Sequence, residues 1–307
     1  MTAAGPDVIR VSSRGVGLHV RRWPNPGAPA LVLVHGYPDT SDVWEPVVSR
    51  LRESFDVTVY DTRGIGGSGI PRRDAYRLDD YRADLLAVVD AVYPARRVHL
   101  VGHDWGSIHS WESVCDAAEN HRFATFTSIS GPNLDHVGRW LRPRLMGRQG
   151  WAGARKVAEQ ARKSWYIYLF HVPLLPVLTW RLGERRWRRY VHTMLPALSA
   201  DYPPAALVAD CARGLATYRR NIVPRLLRPR RCATAVPVQF IVPTGDFCVS
   251  RHLVEGVEEW LTHCENHHID ANHWVQLSHP DEVANLIGRF TAAHPAGQPA
   301  DRPRDIA

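Results

Sequence analysis

The stretch Val98 to Ser107, VHLVGHDWGS, constrains this chain more than any other. The apolar residues Val98, Leu100 and Val101 predict a buried strand, and the following GHDWGS predicts a sharp turn into a helix. Gly102 and Gly106 stand two places before and two places after Asp104. That spacing lets the backbone fold tightly enough to hold one side chain, strained, at the top of a sheet. The residue held there is an aspartate. With an ordinary pKa near ~3.9 it is charged at neutral pH and needs no base to activate it. A carboxylate suits displacement at an sp3 carbon, because the alkyl ester it forms is hydrolysed afterwards at the enzyme's own carbonyl. A hydroxyl nucleophile would leave a stable ether. Asp104 therefore points to the opening of a C–O or C–halogen bond. The bland alternative, an aspartate that merely caps the next helix, weakens as the rest of the set is found.

The remaining chain supplies an α/β frame for that turn. Val8–Val11 and Val16–Trp23 alternate as a hairpin with its turn at Ser12–Gly15, and Leu31–Val34 is a continuous apolar run of the kind covered on both faces of a parallel sheet. It runs into His35-Gly36-Tyr37-Pro38, a loop in which Gly36 permits close approach to a ligand and Pro38 fixes the turn through a cis or trans bond. The backbone N–H of Tyr37 and that of Trp105 are the candidate oxyanion donors. A helix over 42–52, a strand over 57–60 and a helix over 78–92 follow. The intervening glycine-rich DTRGIGGS lacks the Lys-Ser/Thr of a phosphate loop and reads as a turn. After a strand over 123–130 the pattern changes: residues 133–235 are rich in Trp, Arg and Tyr and look helical, until PVQFIVP at 237–243 restores strand character. An insertion there reads as a cap over the carboxyl ends of the strands, where α/β sites lie. The expected organisation is a core of 1–132 and 236–293, a cap of 133–235, and a tail or linker of 294–307. Asp246 follows the strand at 238–242, and His273 follows one around 267–270. The order nucleophile, acid, histidine places both at the sheet edge of Asp104, with Asp135 as rival acid.

Charge and cysteines bound the partners. Residues 133–235 hold twenty Lys and Arg against five Asp and Glu, a net +15, so the rest of the chain carries 7 − 15 = −8. A solvated arginine-rich surface is the common reading of such a segment, and contact with an anionic membrane is the functional one. Nucleic acid is not expected, because no recognition motif accompanies the charge. The five cysteines are scattered, form no CxxC, and are expected as buried thiols of a cytoplasmic protein with no membrane span. His263, Cys264, His267 and His268 lack metal-site spacing; neither metal nor cofactor is expected.

Over Val8 to Phe290 the chain resembles the α/β-hydrolase-fold epoxide hydrolases. His35-Gly36-Tyr37-Pro38 is similar to their HGxP loop, Gly102–Ser107 to their GHDWG(G/S) turn, and Gly245-Asp246 and Asn272-His273-Trp274 to their acid and base segments. The resemblance implies an α/β-hydrolase fold, mostly parallel with an inserted helical cap, and hydrolysis of an apolar, fatty or lipid epoxide to a diol without a cofactor. Two cap tyrosines would bind the epoxide oxygen. Tyr166 matches the first context, with Tyr168 as alternative, and Tyr218 in Tyr-Arg-Arg-Asn matches the second. The chain departs from the pattern at Ile167, where Gln is frequent, in the short Gly245-Asp246 segment, and at Tyr37, where Phe or Trp is frequent. The basic cap and the tail resemble the hydrolase half of two-domain epoxide hydrolase–dehydrogenase proteins. A second copy of the chain and a C-terminal domain stay open as partners. A haloalkane dehalogenase with the same Asp and His, or a ligand-binding module that keeps the fold, are the alternatives.

Overall fold

The computed structural model describes residues 5–72, 75–194 and 207–297. Most of the expected tail and residues 195–206 of the expected cap lie outside these. Eight strands form one sheet: β1 (Asp7–Ser13), β2 (Val16–Trp23), β3 (Ala30–Val34), β4 (Asp56–Tyr60), β5 (Val98–His103), β6 (Phe123–Ile129), β7 (Val238–Pro243) and β8 (Cys264–Ile269). Their spatial order is β1-β2-β4-β3-β5-β6-β7-β8, antiparallel at β1–β2 and β2–β4 and parallel from β4 to β8. The sheet is doubly covered, and this is why its central strands are apolar without interruption. Val32 and Val34 of β3 pack into one core layer with Leu85, Val88 and Trp111, while Leu31 and Leu33 pack into the other with Val47, Val283 and Ile287. These partners lie on α2 (Leu78–Val92) and α3 (Trp105–Val114) on one side, and on α1 (Glu45–Leu51) and the last helix, Pro280–Ala293, on the other.

Three boundaries differ from expectation: β1 runs on through Ser12 and Ser13, which pair with Gly17 and Val16 and leave only Arg14-Gly15 as the hairpin turn. The helix expected over 42–52 begins as a 3-10 turn at Ser41–Trp44 and becomes α-helical only at Glu45, where Pro46 in the first turn spares an unpaired N–H. β8 begins at Cys264 rather than near His267. It is the sheet's edge strand, so its half-exposed Cys-Glu-Asn-His start carries no hydrophobic signal. His267, and His263 just before the strand, each place Nε2 3.2 Å from the Glu265 carboxylate, while Cys264 and His268 alternate to the other face. The glycine-rich turn after β4 is held as a turn. Asp61 accepts from the N–H groups of Ser41 and Gly67, and buried Arg63 makes a two-point ion pair with Asp84 of α2.

Between β6 and β7 run α4 (Leu134–Leu145), α5 (Gly150–Lys163), α6 (Trp165–His171), α7 (Leu175–Met194) and α8 (Leu207–Leu227). α4, α6 and α7 pack on α8. Phe170, Leu215, Tyr218 and Ile222 of these helices form one apolar cluster with Leu78 and Trp105 of the sheet's flanking helices.

Both crossings into this segment are tied to α3. The expectation of free cysteines is corrected here: Cys115, just past α3, and Cys232, just before β7, form a disulfide. Cys211, Cys248 and Cys264 are free. Asn133 caps α4 with its carbonyl and donates its amide to Cys232 Sγ at 2.9 Å, while His136 Nε2 bonds the Cys232 carbonyl. Among the described residues no helix is long and apolar enough to cross a membrane.

Candidate active site

β5 ends at His103 and α3 starts at Trp105, leaving Asp104 to make the turn at φ +51°, ψ −123°. A non-glycine residue holds such a backbone only when its surroundings fix it. Here the Asp104 N–H donates to the Ile129 carbonyl of β6 at 2.9 Å. Close approach explains two of the glycines. A Cβ at Gly106 would strike the carbonyl oxygens of Val34 and His35, and one at Gly36 would lie 2.5 Å from both Asp104 Cβ and Oδ1. The His35–Pro38 loop therefore lies directly against the nucleophile candidate. It is oriented by His35, whose Nε2 accepts from the Thr62 N–H at 2.9 Å, so that its Nδ1–H donates to the Gly36 carbonyl at 2.8 Å. The Tyr37–Pro38 bond is cis. The Tyr37 N–H donates to Asp104 Oδ1 at 2.8 Å, and the Trp105 N–H donates to the same carboxylate. Both expected donors thus converge on one group.

β7 and β8 bring the other two members. Asp246 Oδ1 accepts from the N–H groups of Cys248 and Val249, and Oδ2 accepts from His273 Nδ1–H at 2.9 Å. His273 Nε2 faces Asp104 Oδ2 at 3.7 Å. The rival acid Asp135 is not at this site. It is buried where α4 begins, ion-paired to Arg225 and Arg230, which also bind Glu112 of α3.

The electrostatics follow from burial and proximity. Desolvation raises the Asp104 carboxyl to about 6, against the lowering pull of His273 and the two amides. His273 loses solvent too, yet the charge and hydrogen bond of Asp246, with Asp104 beyond, hold its pKa above the usual value. Burial works to raise Asp246; the imidazolium and the two amides override it and hold this carboxyl low.

A cavity of about 810 Å³ opens over Asp104 and His273. Tyr166 of α6 and Tyr218 of α8 line it, with ring centroids 6.2 Å apart, alongside Trp165, Phe170, Trp180 and Trp187. Burial raises both phenols, and the nearby Asp104 charge raises them further, so both stay protonated. Tyr168, the alternative to Tyr166, points outward and is 64% exposed. Of the tryptophans in the inserted helices, Trp140 packs away from the cavity beside Leu253 and Trp151 is exposed.

Three residues went unread in the sequence. His103 donates Nε2–H to the His273 carbonyl at 2.9 Å, joining the two loops; its place beside Asp104 was the available signal. Cys248 and Phe247 line the cavity, Phe247 with its ring tilted against that of His273 at 6.0 Å; both come just after Asp246.

An aspartate at this turn, with a second carboxylate and a histidine from the ends of β7 and β8, defines an α/β hydrolase. The chain belongs to that family: the model of the alpha/beta hydrolase fold matches residues 29–280. Among curated relatives, "Probable oxidoreductase EphD" of Mycobacterium tuberculosis is 32% identical over 94% of this chain and 50% of its own length. The chain thus spans about half the length of that relative. Epoxide hydrolase 3 of Mus musculus is 23% identical over 91% of this chain and 75% of its own. Among solved structures, an epoxide hydrolase from Bacillus megaterium superposes with a TM-score of 0.77 at 22% identity, covering 92% of this chain and all of that one.

Proposed function

We propose that the protein is an epoxide hydrolase that converts an apolar epoxide to a vicinal diol through an ester on Asp104. The observation that carries this is the pair of protonated phenols, Tyr166 and Tyr218, lining the same cavity as a carboxylate held by two amides. An epoxide oxygen leaves as an alkoxide and needs a proton donor opposite the nucleophile; a halide needs none. The Trp105 ring, which a dehalogenase would keep for halide, packs edge-on against the Tyr218 ring with centroids 4.8 Å apart.

In this reading Asp104 attacks one epoxide carbon from behind, the C–O bond breaks, and a tyrosine hydroxyl protonates the departing oxygen, an effect worth ~10²–10⁴ in rate. Esterification removes the Asp104 charge, and with it one of the influences that keep His273 protonated; the imidazolium gives up its proton, and the tyrosine phenolate takes one back to restore the phenol. Neutral His273, oriented by Asp246, then takes a proton from water, which adds to the ester carbonyl. The Tyr37 and Trp105 amides stabilise the oxyanion. Collapse releases the diol and returns the carboxylate. The helices of 133–235 act as the cap, and the aromatic lining favours apolar, fatty or lipid epoxides.

The test is a single turnover in H₂¹⁸O with excess enzyme, using styrene oxide, a fatty epoxide and a 1-haloalkane. Unlabelled first-turnover diol, with a mass adduct trapped on Asp104 in His273→Gln, is the expected result. Label in the first diol, or diol formation by Asp104→Ala, overturns the ester route. Halide release without diol moves the assignment to dehalogenase.

A further inference from the structure

α7 is apolar on two opposite faces. Its inner stripe, Trp180, Gly183 and Trp187, lines the cavity. Its outer ridge, Leu175, Leu178 and Leu182, follows the i, i+3, i+7 spacing of one helix face and points into solvent, with Leu178 50% and Leu182 76% exposed. Val172 and Leu174, in the turn before the helix, extend the exposed apolar run toward α6. A helix that needs only to roof a cavity would turn polar groups to water on that outer side. Exposed Arg181, Arg185 and Arg186 sit beside the ridge. The one carboxylate between Lys163 and Met194, Glu184, is paired to Arg188 at 2.8 Å.

An apolar ridge flanked by arginines that have no ion-pair partner among the described residues is complementary to a surface that is apolar inside and anionic at its rim. We infer that α7 and the α6–α7 turn dock the protein on an anionic lipid bilayer, with the leucines among the acyl chains and the arginines at the headgroups. The geometry gives the docking a use. Trp165 lines the cavity while 64% exposed, and Arg186 lines it from the same helix that bears the ridge. The cavity mouth therefore opens beside this face, where an apolar molecule leaving the bilayer enters without crossing bulk water. The docking does not depend on which reaction the cavity performs.

The test is sedimentation of the protein with vesicles of phosphatidylcholine alone and of phosphatidylcholine mixed with phosphatidylglycerol. Binding is expected only to the anionic vesicles and weakens with salt. Leu174→Glu/Leu178→Glu/Leu182→Glu abolishes it, and Arg181→Glu/Arg185→Glu, which leaves the leucines intact, lowers it at least about tenfold. Far-UV circular dichroism and Tm verify the fold of each variant. These are all exposed positions, and if the triple variant misfolds, the arginine pair and Leu182→Glu alone carry the test. No binding at low salt overturns the inference, as does binding that these variants leave unchanged. A dimer in sedimentation velocity that Leu182→Glu dissociates assigns the ridge to a second copy of the chain and equally overturns it.

Discussion

Breaking the Cys115–Cys232 bridge should lower the melting temperature by several degrees, and its size follows from the chain length it closes. The bridge spans 117 residues. In the chain-entropy account, a closed loop of this length removes ~16 cal/mol/K from the unfolded ensemble, or ~4.9 kcal/mol at 25 °C. Unfolding a chain of 307 residues gains about 2.1 cal/mol/K per residue, ~640 cal/mol/K in all. Dividing the two gives a fall in Tm of ~7–8 °C. Scanning calorimetry of the oxidised protein, the same protein in reductant, and Cys115→Ala/Cys232→Ala measures it. Thiol titration of the denatured, unreduced protein should find three free thiols, those of Cys211, Cys248 and Cys264. Five thiols would refute the bridge itself. Three thiols with a Tm shift under ~2 °C would refute the entropic reasoning.

Because Asp104 titrates at about 6, the rate of enzyme alkylation should fall tenfold per unit below pH ~6; an acid limb near the ordinary carboxylate value would contradict its desolvation. His273 is raised from 6.5 to about 9, so its contribution to stability is full below 6.5 and is lost as pH rises through about 9. Urea unfolding of His273→Gln should lack that alkaline loss. Tyr166→Phe and Tyr218→Phe should each lower kcat/KM on epoxides by ~10²-fold or more, while Tyr168→Phe should change it little, as steady-state kinetics will report. Gly36→Ala forces a methyl to within 2.5 Å of the Asp104 carboxylate. It should cost ~1–3 kcal/mol of stability and, by shifting the carboxylate off its two amides, ~10²–10³ in turnover.

The separation of what the chain spells out from what packing adds runs along sequence distance. The turn at Asp104 was legible because its requirements are met within five residues: small residues on either side and a strand that leads into it. Central strands were legible because burial on both faces demands uninterrupted apolar side chains, whereas β8, at the edge, had no such demand and hid its first residues. The alternation of strands and helices, and the insertion between β6 and β7, followed from the same local periods.

Choices between equivalents needed the tertiary structure. Asp135 and Asp246 both follow a strand, and only the packing of β7 against β8 brings Asp246 to 2.9 Å from His273 while arginines of α8 and the segment after it claim Asp135. Tyr166 and Tyr168 are two residues apart on one helix, about 200° around its axis, so the sense of rotation of α6 against α8 decides which phenol enters the cavity. The pairing of Cys115 with Cys232 likewise depends on how segments 117 residues apart meet, and the outward turn of the α7 leucines on how α7 packs against α8. A sequence fixes local geometry through sterics and hydrogen bonds between near neighbours. Which distant side chains become partners is decided by the one packing that buries the core and leaves its polar groups satisfied.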